Sequence, residues 1–335
     1  MQGSVLAVPN VIDAYSYDNS GVAVTVGGVL LAANSIYVCV NGGTPAAVGK
    51  AIWTNKGSGC GYTGVGALFN GTISGTTLTV SSVISGTIAA GQTLFDTTGV
   101  LAAGTTVVSG SGTTWTISPS QTVSASEVMT AVSVGYQGVM VQDTNSGYSP
   151  PYPSYVVVYA LPTALPITMS VNIANSVSVP SNALQQIQTA VQAAFNGQDG
   201  GARARIGSTV FASRFYAGIA ALGTWAQIRS IQIGATSLPS STFVATLSTA
   251  GALTVSSVTT GTIAIGQQLF DTTGALPAGA TITAGSGTSW TVSPSPAVAV
   301  TSETMYGVVS NQNYITANIN QAPALNSANV TLTLS

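Results

Sequence analysis

Hydrophobic residues recur at helical spacing in one region of this chain and alternate with polar residues, at strand spacing, almost everywhere else. The helical region is 180–223. In its first half, Leu184, Ile187, Val191 and Phe195 fall on one face with glutamines between them, Ser181 is placed to cap the start, and Gly197 is placed to end it. Its second half, 208–223, puts Phe211, Phe215, Ile219 and Leu222 on one face and Ser213 and Arg214 on another, which predicts a second amphipathic helix. Between them, 198–206 is a glycine turn carrying a short basic cluster. Elsewhere the alternation and its Gly-Gly or Ala-Asn punctuation predict strands at 4–8, 22–26, 29–31, 35–40, 155–159, 168–173, 314–320 and 330–334, with a short helix at 47–53.

One stretch of this alternation occurs twice. Leu-Thr-Val-Ser-Ser-Val at 78–83, Leu-Phe-Asp-Thr-Thr-Gly at 94–99 and the run 110–119 around Trp115 return at 253–258, 269–274 and 285–294 around Trp290. The match is far beyond chance and marks a duplicated module. Its many short strands and glycine turns predict a small all-β sandwich or barrel. The expected core is Leu78, Val80, Val83, Ile88, Leu94, Phe95, Val107, Trp115 and Ile117, with their counterparts in the second copy.

The two copies are not adjacent, so the chain reads as a host body interrupted twice, since insertions are tolerated where loops are exposed. The expected pieces are host 1–65, module 66–133, host 134–235 with the helical stretch, module 236–307 and host 308–335. The fold class is α+β and mostly β: a discontinuous host domain of strands and two amphipathic helices, plus two inserted small all-β modules.

Composition narrows the function. In 335 residues there are six basic and eight acidic side chains and no histidine. Strong charge complementarity to nucleic acid or an anionic membrane is not expected. Solubility must come from Ser, Thr, Asn and Gln, and weakly charged surfaces of this kind tend to associate. The window 21–40 is interrupted by Thr25, Gly27, Gly28, Asn34 and Ser35, and reads as strands and a turn rather than a membrane span. No signal peptide is visible at the N-terminus. Cys39 and Cys60 are expected to be buried, inert thiols, with a single disulfide as the alternative.

Without histidine, Ser-His-Asp and Cys-His chemistry is excluded. The acids Asp13, Asp18, Asp96, Glu127, Asp143, Asp199, Asp271 and Glu303 are scattered, and Asp96 and Asp271, each before Thr-Thr-Gly, read as turn residues. Two cysteines make no ordinary zinc site, and one carboxylate per turn makes no calcium site. The expectation is therefore a non-enzymatic chain with no catalytic, metal or cofactor residues. Arg203, Arg205 and Arg214, three of the four arginines, suit ion pairs within the host or at a subunit contact. With Phe211 and Phe215 from the same stretch they form the candidate subunit-contact set.

The host pieces carry a set of motifs in order: Gly-Ser-Val-Leu-Ala-Val-Pro at 3–9, Val-Ile-Asp-Ala-Tyr at 11–15, Asn-Ser-Ile-Tyr-Val-Cys-Val at 34–40, Lys-Gly-Ser-Gly-Cys-Gly-Tyr-Thr-Gly at 56–64, Pro-Pro-Tyr-Pro at 150–153 and Ala-Arg-Ala-Arg-Ile-Gly at 202–207. In these the chain resembles the baseplate J-like proteins of contractile-tailed bacteriophages. The inserted module is similar to a mobile β-domain of phage structural proteins. The resemblance implies a wedge subunit of a tail baseplate, located in the virion after assembly in the bacterial cytoplasm. Its expected partners are other baseplate subunits and copies of itself, and no nucleic acid or membrane. The alternative reading is an adhesin-like tail protein that binds host-surface carbohydrate through the duplicated modules, with Tyr148, Tyr152 and Tyr155 as residues able to stack on sugars.

Overall fold

The computed structural model describes residues 1–145 and 147–335. They divide into two compact units, Met1–Thr163 and Ala164–Ser335. Each holds one host body and one copy of the module. The three host segments therefore do not share one core: the first and the early part of the second, through Tyr159, bury Val5, Ile36, Val40, Ile52, Val139 and Val157 together, while the rest of the second joins the third around Ile167, Val191, Phe215, Ile233 and Val330.

In the first unit the order is α1 (Gln2–Leu6), β1 (Val11–Asn19), β2 (Val24–Val26), β3 (Val29–Leu31), β4 (Ser35–Gly42), α2 (Pro45–Asn55) and β5 (Gly61–Tyr62). The module follows as β6 (Val65–Gly86), β7 (Thr93–Asp96), β8 (Thr106–Ser111) and β9 (Thr114–Val132), and the host resumes with β10 (Tyr136–Gln142) and β11 (Ser154–Ala160). The host sheet runs β1-β4-β11-β10, with β5 added to β4. Residues 35–40 are all buried, as befits a strand covered on both faces. The strand expected at 4–8 is instead the short helix α1, with Val5 buried in the core.

In the second unit the order is β12 (Thr163–Ile173), α3 (Ala183–Phe195), β13 (Thr209–Phe211), a 3₁₀ turn (Ala212–Phe215), α4 (Tyr216–Ala220) and β14 (Ile228–Ala235). The second module comprises β15 (Ser241–Leu247), β16 (Ala252–Gly261), β17 (Gln268–Asp271), β18 (Thr281–Ser286), β19 (Ser289–Ser293) and β20 (Val300–Val308). The chain closes with β21 (Tyr314–Thr316) and β22 (Gln321–Leu334). Helix α3 forms as its spacing predicts and buries Ile187, Val191, Ala194 and Phe195 near the three-stranded sheet β14-β12-β22. Leu184, expected on that face, is exposed, and Asn182 rather than Ser181 occupies the cap position. Full burial of each such aliphatic side chain stabilises the unit by about 1.5–3 kcal/mol.

The second expected amphipathic helix does not form as one element. Thr209-Val210-Phe211 pairs antiparallel with Tyr314-Ile315-Thr316 as a two-stranded ribbon, and only Tyr216–Ala220 is α-helical. Two β-branched residues followed by an aromatic favour a ladder, and the partner strand supplies it.

The second module is a closed barrel, β15-β16-β19-β18-β17-β20. The first is a four-stranded sheet, β6-β9-β7-β8 with β8 also on β9, that repeats much of this pairing in fewer, longer strands. The start of β6 pairs with the end of β9 and the residues after Gly75 pair with its beginning, matching β15 on β20 and β16 on β19. Both interiors match almost position for position: Phe69, Leu78, Val80, Ile88, Leu94, Val107 and Ile117 in one copy, Phe243, Leu253, Val255, Ile263, Leu269, Ile282 and Val292 in the other.

Three expected core positions differ. Val83 is exposed. Trp115 and Trp290 are only partly buried; each indole N–H donates to a carbonyl in its own hairpin turn, Gly112 or Gly287, at 3.0 Å, and the ring packs on the edge of the core. Phe95 lies outside the module's core cluster, against Gly138 of β10, where an added Cβ would collide with its ring. The first module is thus seated on its host strand by an aromatic ring resting on a residue without a side chain.

Candidate functional site

The candidate contact residues lie after α3, and the local geometry sorts them. The helix ends at Phe195; Gly197, with φ +71°, reverses the chain, its N–H donating to the Ala194 carbonyl at 3.1 Å. A glycine suits this left-handed position because a Cβ would also meet the Gly201 carbonyl oxygen at 2.9 Å. Asp199 Oδ1 then accepts the Gly201 N–H at 3.1 Å and closes the turn.

Arg214 holds this turn from the far side. Its Nη1 and Nη2 donate to the two oxygens of Asp199 at 2.6 and 2.5 Å, Nη2 also to the Ala194 carbonyl at 3.2 Å, and Nε to the Ala202 carbonyl at 3.3 Å. This paired fork is the strong form of the arginine–carboxylate bond. Hydrogen bonding from Arg214, then from the Gly201 N–H, holds the Asp199 carboxyl down at about 2, and Asp199 in turn raises the Arg214 guanidinium. Arg214 therefore closes an internal clasp across the end of α3. Arg203 and Arg205 are half-buried, and each makes an interaction of its own.

The two phenylalanines separate completely. Phe215 is 1% exposed within the host core, so it is a packing residue and not a contact residue. Phe211 is 52% exposed, because the strand alternation that sends Val210 inward sends Phe211 outward. Directly across the ladder stands Tyr314, 56% exposed, with ring centroids 5.9 Å apart. Tyr216, at the start of α4, adds a third exposed ring, and Ser213 and Asn313 place polar groups beside them around a shallow concavity of about 500 Å³. Thr209 and Thr316 tie the ribbon with hydroxyls 3.0 Å apart.

Tyr216 and Tyr314 are functional candidates that the sequence reading missed. A signal for Tyr314 was present: Ile315 is a core residue, so period two places Tyr314 on the opposite face. For Tyr216 there was none, because the helix expected there puts it off the apolar stripe.

The scattered acids behave partly as expected. Asp96 Oδ2 accepts the Val100 N–H at 2.7 Å, and Asp271 accepts Gly274 and Ala275 N–H at 3.1 and 2.7 Å, as turn residues do. The fold also brings a glutamate to each turn. Thr98 lies 2.6 Å from Asp96 and 3.3 Å from Glu127, and Thr273 lies 2.9 Å from Asp271 and 2.8 Å from Glu303. Each duplicated turn is thus tied to its module through one threonine hydroxyl. Cys39 and Cys60 are free thiols; burial pushes Cys39 up to about 12, while Cys60 is partly exposed rather than buried.

No protein-family model matches the chain, and no curated protein matches it. Among the described residues, no group of three His, Cys, Asp or Glu side chains converges to hold a metal ion, and no helix is long and apolar enough to cross a membrane.

Proposed function

We propose that this chain is a structural subunit of a contractile phage-tail baseplate that acts by packing against other baseplate subunits and copies of itself. The observation that carries the reading is the exposed cluster of Phe211, Tyr216 and Tyr314 on a surface with very few charges. Aromatic side chains gathered in one patch bring large apolar area at low entropic cost, which is what the buried centre of a protein interface uses. The likeness of the host motifs to baseplate J-like proteins supplies the assembly in which such packing would take place, with the virion as the location.

The test separates contact from folding. Phe211 and Tyr314 are both more than half exposed and face each other across a strand pair, so replacing both with threonine, a good strand residue, should leave the melting temperature of the purified chain nearly unchanged while stopping its incorporation into tails, read by sedimentation and electron microscopy. Normal tails carrying both substitutions would refute the proposal.

A further inference from the structure

The first unit holds a concavity of about 660 Å³ where its host body meets its module. Its host wall is aromatic. Trp53 of α2 and Tyr155 of β11 stack with centroids 5.8 Å apart and planes 26° from parallel, and Tyr62 of β5 stands nearby. Its module wall is hydroxylic, with Ser85 and Thr130 facing the same space.

One of the protein's two lysines, Lys56, lines this concavity, and the other, Lys50, stands over the ring of Trp53, a residue of its wall. The Lys50 ammonium lies 5.0 Å from the centre of the Trp53 ring, and that of Lys56 lies 5.2 Å from the centre of Tyr62. Ring quadrupoles hold both cations in position. No carboxylate is among the residues that line the concavity, so the positive charge is not cancelled within it.

We propose that this concavity binds an acidic saccharide, a short run of sugar rings carrying carboxylates. Each part of the wall answers one part of such a ligand. Aromatic faces pack against the C–H faces of sugar rings, hydroxyls exchange hydrogen bonds with sugar hydroxyls, and the Lys56 ammonium pairs with a carboxylate. The volume lies within the range of small-ligand sites. A neutral sugar would leave Lys56 unused, and an apolar peptide would meet the hydroxyl wall without partners. The inference moves the glycan reading away from the duplicated faces of the modules to a junction that includes Tyr155, and it does not depend on the baseplate reading.

Titrating the full chain with a hexameric oligogalacturonate, followed by tryptophan fluorescence and calorimetry at physiological salt, tests it. Saturable binding at one site is expected, at least tenfold tighter than to maltohexaose or inorganic phosphate. Lys56→Gln should weaken binding tenfold or more, and Tyr155→Ala should also weaken it, both with an unchanged melting temperature. Arg229→Gln, a cation in the other unit and exposed, should leave binding as it was. The proposal is overturned by no saturable binding of the oligogalacturonate, by equal binding of maltohexaose or of phosphate, or by Arg229→Gln weakening binding as much as Lys56→Gln does.

Discussion

Phe211 and Phe215 lie four positions apart, and on a helix they would share a face. The ribbon and the 3₁₀ turn send one to solvent and the other into the core. Phe215→Ala should therefore cost the second unit about 3–5 kcal/mol, the usual range for a buried phenylalanine truncation. Phe211→Ala should cost within about 0.5 kcal/mol. Denaturant unfolding of both variants checks the contrast. Arg214 makes a prediction of a different kind. Because Asp199 is held near 2 when folded, against an ordinary 3.8, its clasp contributes stability that is fully present above the ordinary value and is lost as pH falls through about 2. Protection of the Gly201 amide from hydrogen exchange, relative to the free peptide at the same pH, should fall as pH drops between those two values in the parent, and Arg214→Met should remove that step.

At the scale of elements, helix α3 was legible because the period of Ile187, Val191 and Phe195 is regular, although Leu184 at its start faces water. The residues after Ser208 were misread because their partner, the strand Tyr314–Thr316, lies far along the chain, and a helical period in four apolar positions cannot report a ladder. At 4–8 the reverse happened: short alternation suggested a strand where five residues make a helical turn that buries Val5. The joint between module and host was equally invisible, since it depends on the missing side chain of Gly138 beneath Phe95. Gly138→Val should destabilise the first unit by about 1–3 kcal/mol through overpacking, and Phe95→Ala in the same chain should recover part of the loss. A double-mutant cycle on thermal unfolding measures the coupling.

On the scale of the whole molecule, the host segments divide between two cores, so each unit carries its own body and its own copy of the module. Residues 1–163 and 164–335, expressed separately, should each unfold cooperatively, because each retains complete hydrophobic cores. Calorimetry of the two halves checks this; a half that shows no cooperative transition would argue that its core needs the other. Removing residues 66–133 has a different expected effect: it strips Phe95 from Gly138 and exposes the β10 surface of the remaining host.

Local order along the chain carried the duplicated all-β module, the Asp-Thr-Thr-Gly turns, the first helix and the mostly β class, because each depends on neighbours within a few residues or on a repeat visible in the letters themselves. Spatial folding alone settled which phenylalanine faces water, which acids share a threonine, how the host segments divide between two cores, and that Lys56 meets Tyr155 around one concavity. Those outcomes rest on pairings between distant segments, and hydrophobic periodicity records which face of an element is buried without recording what buries it.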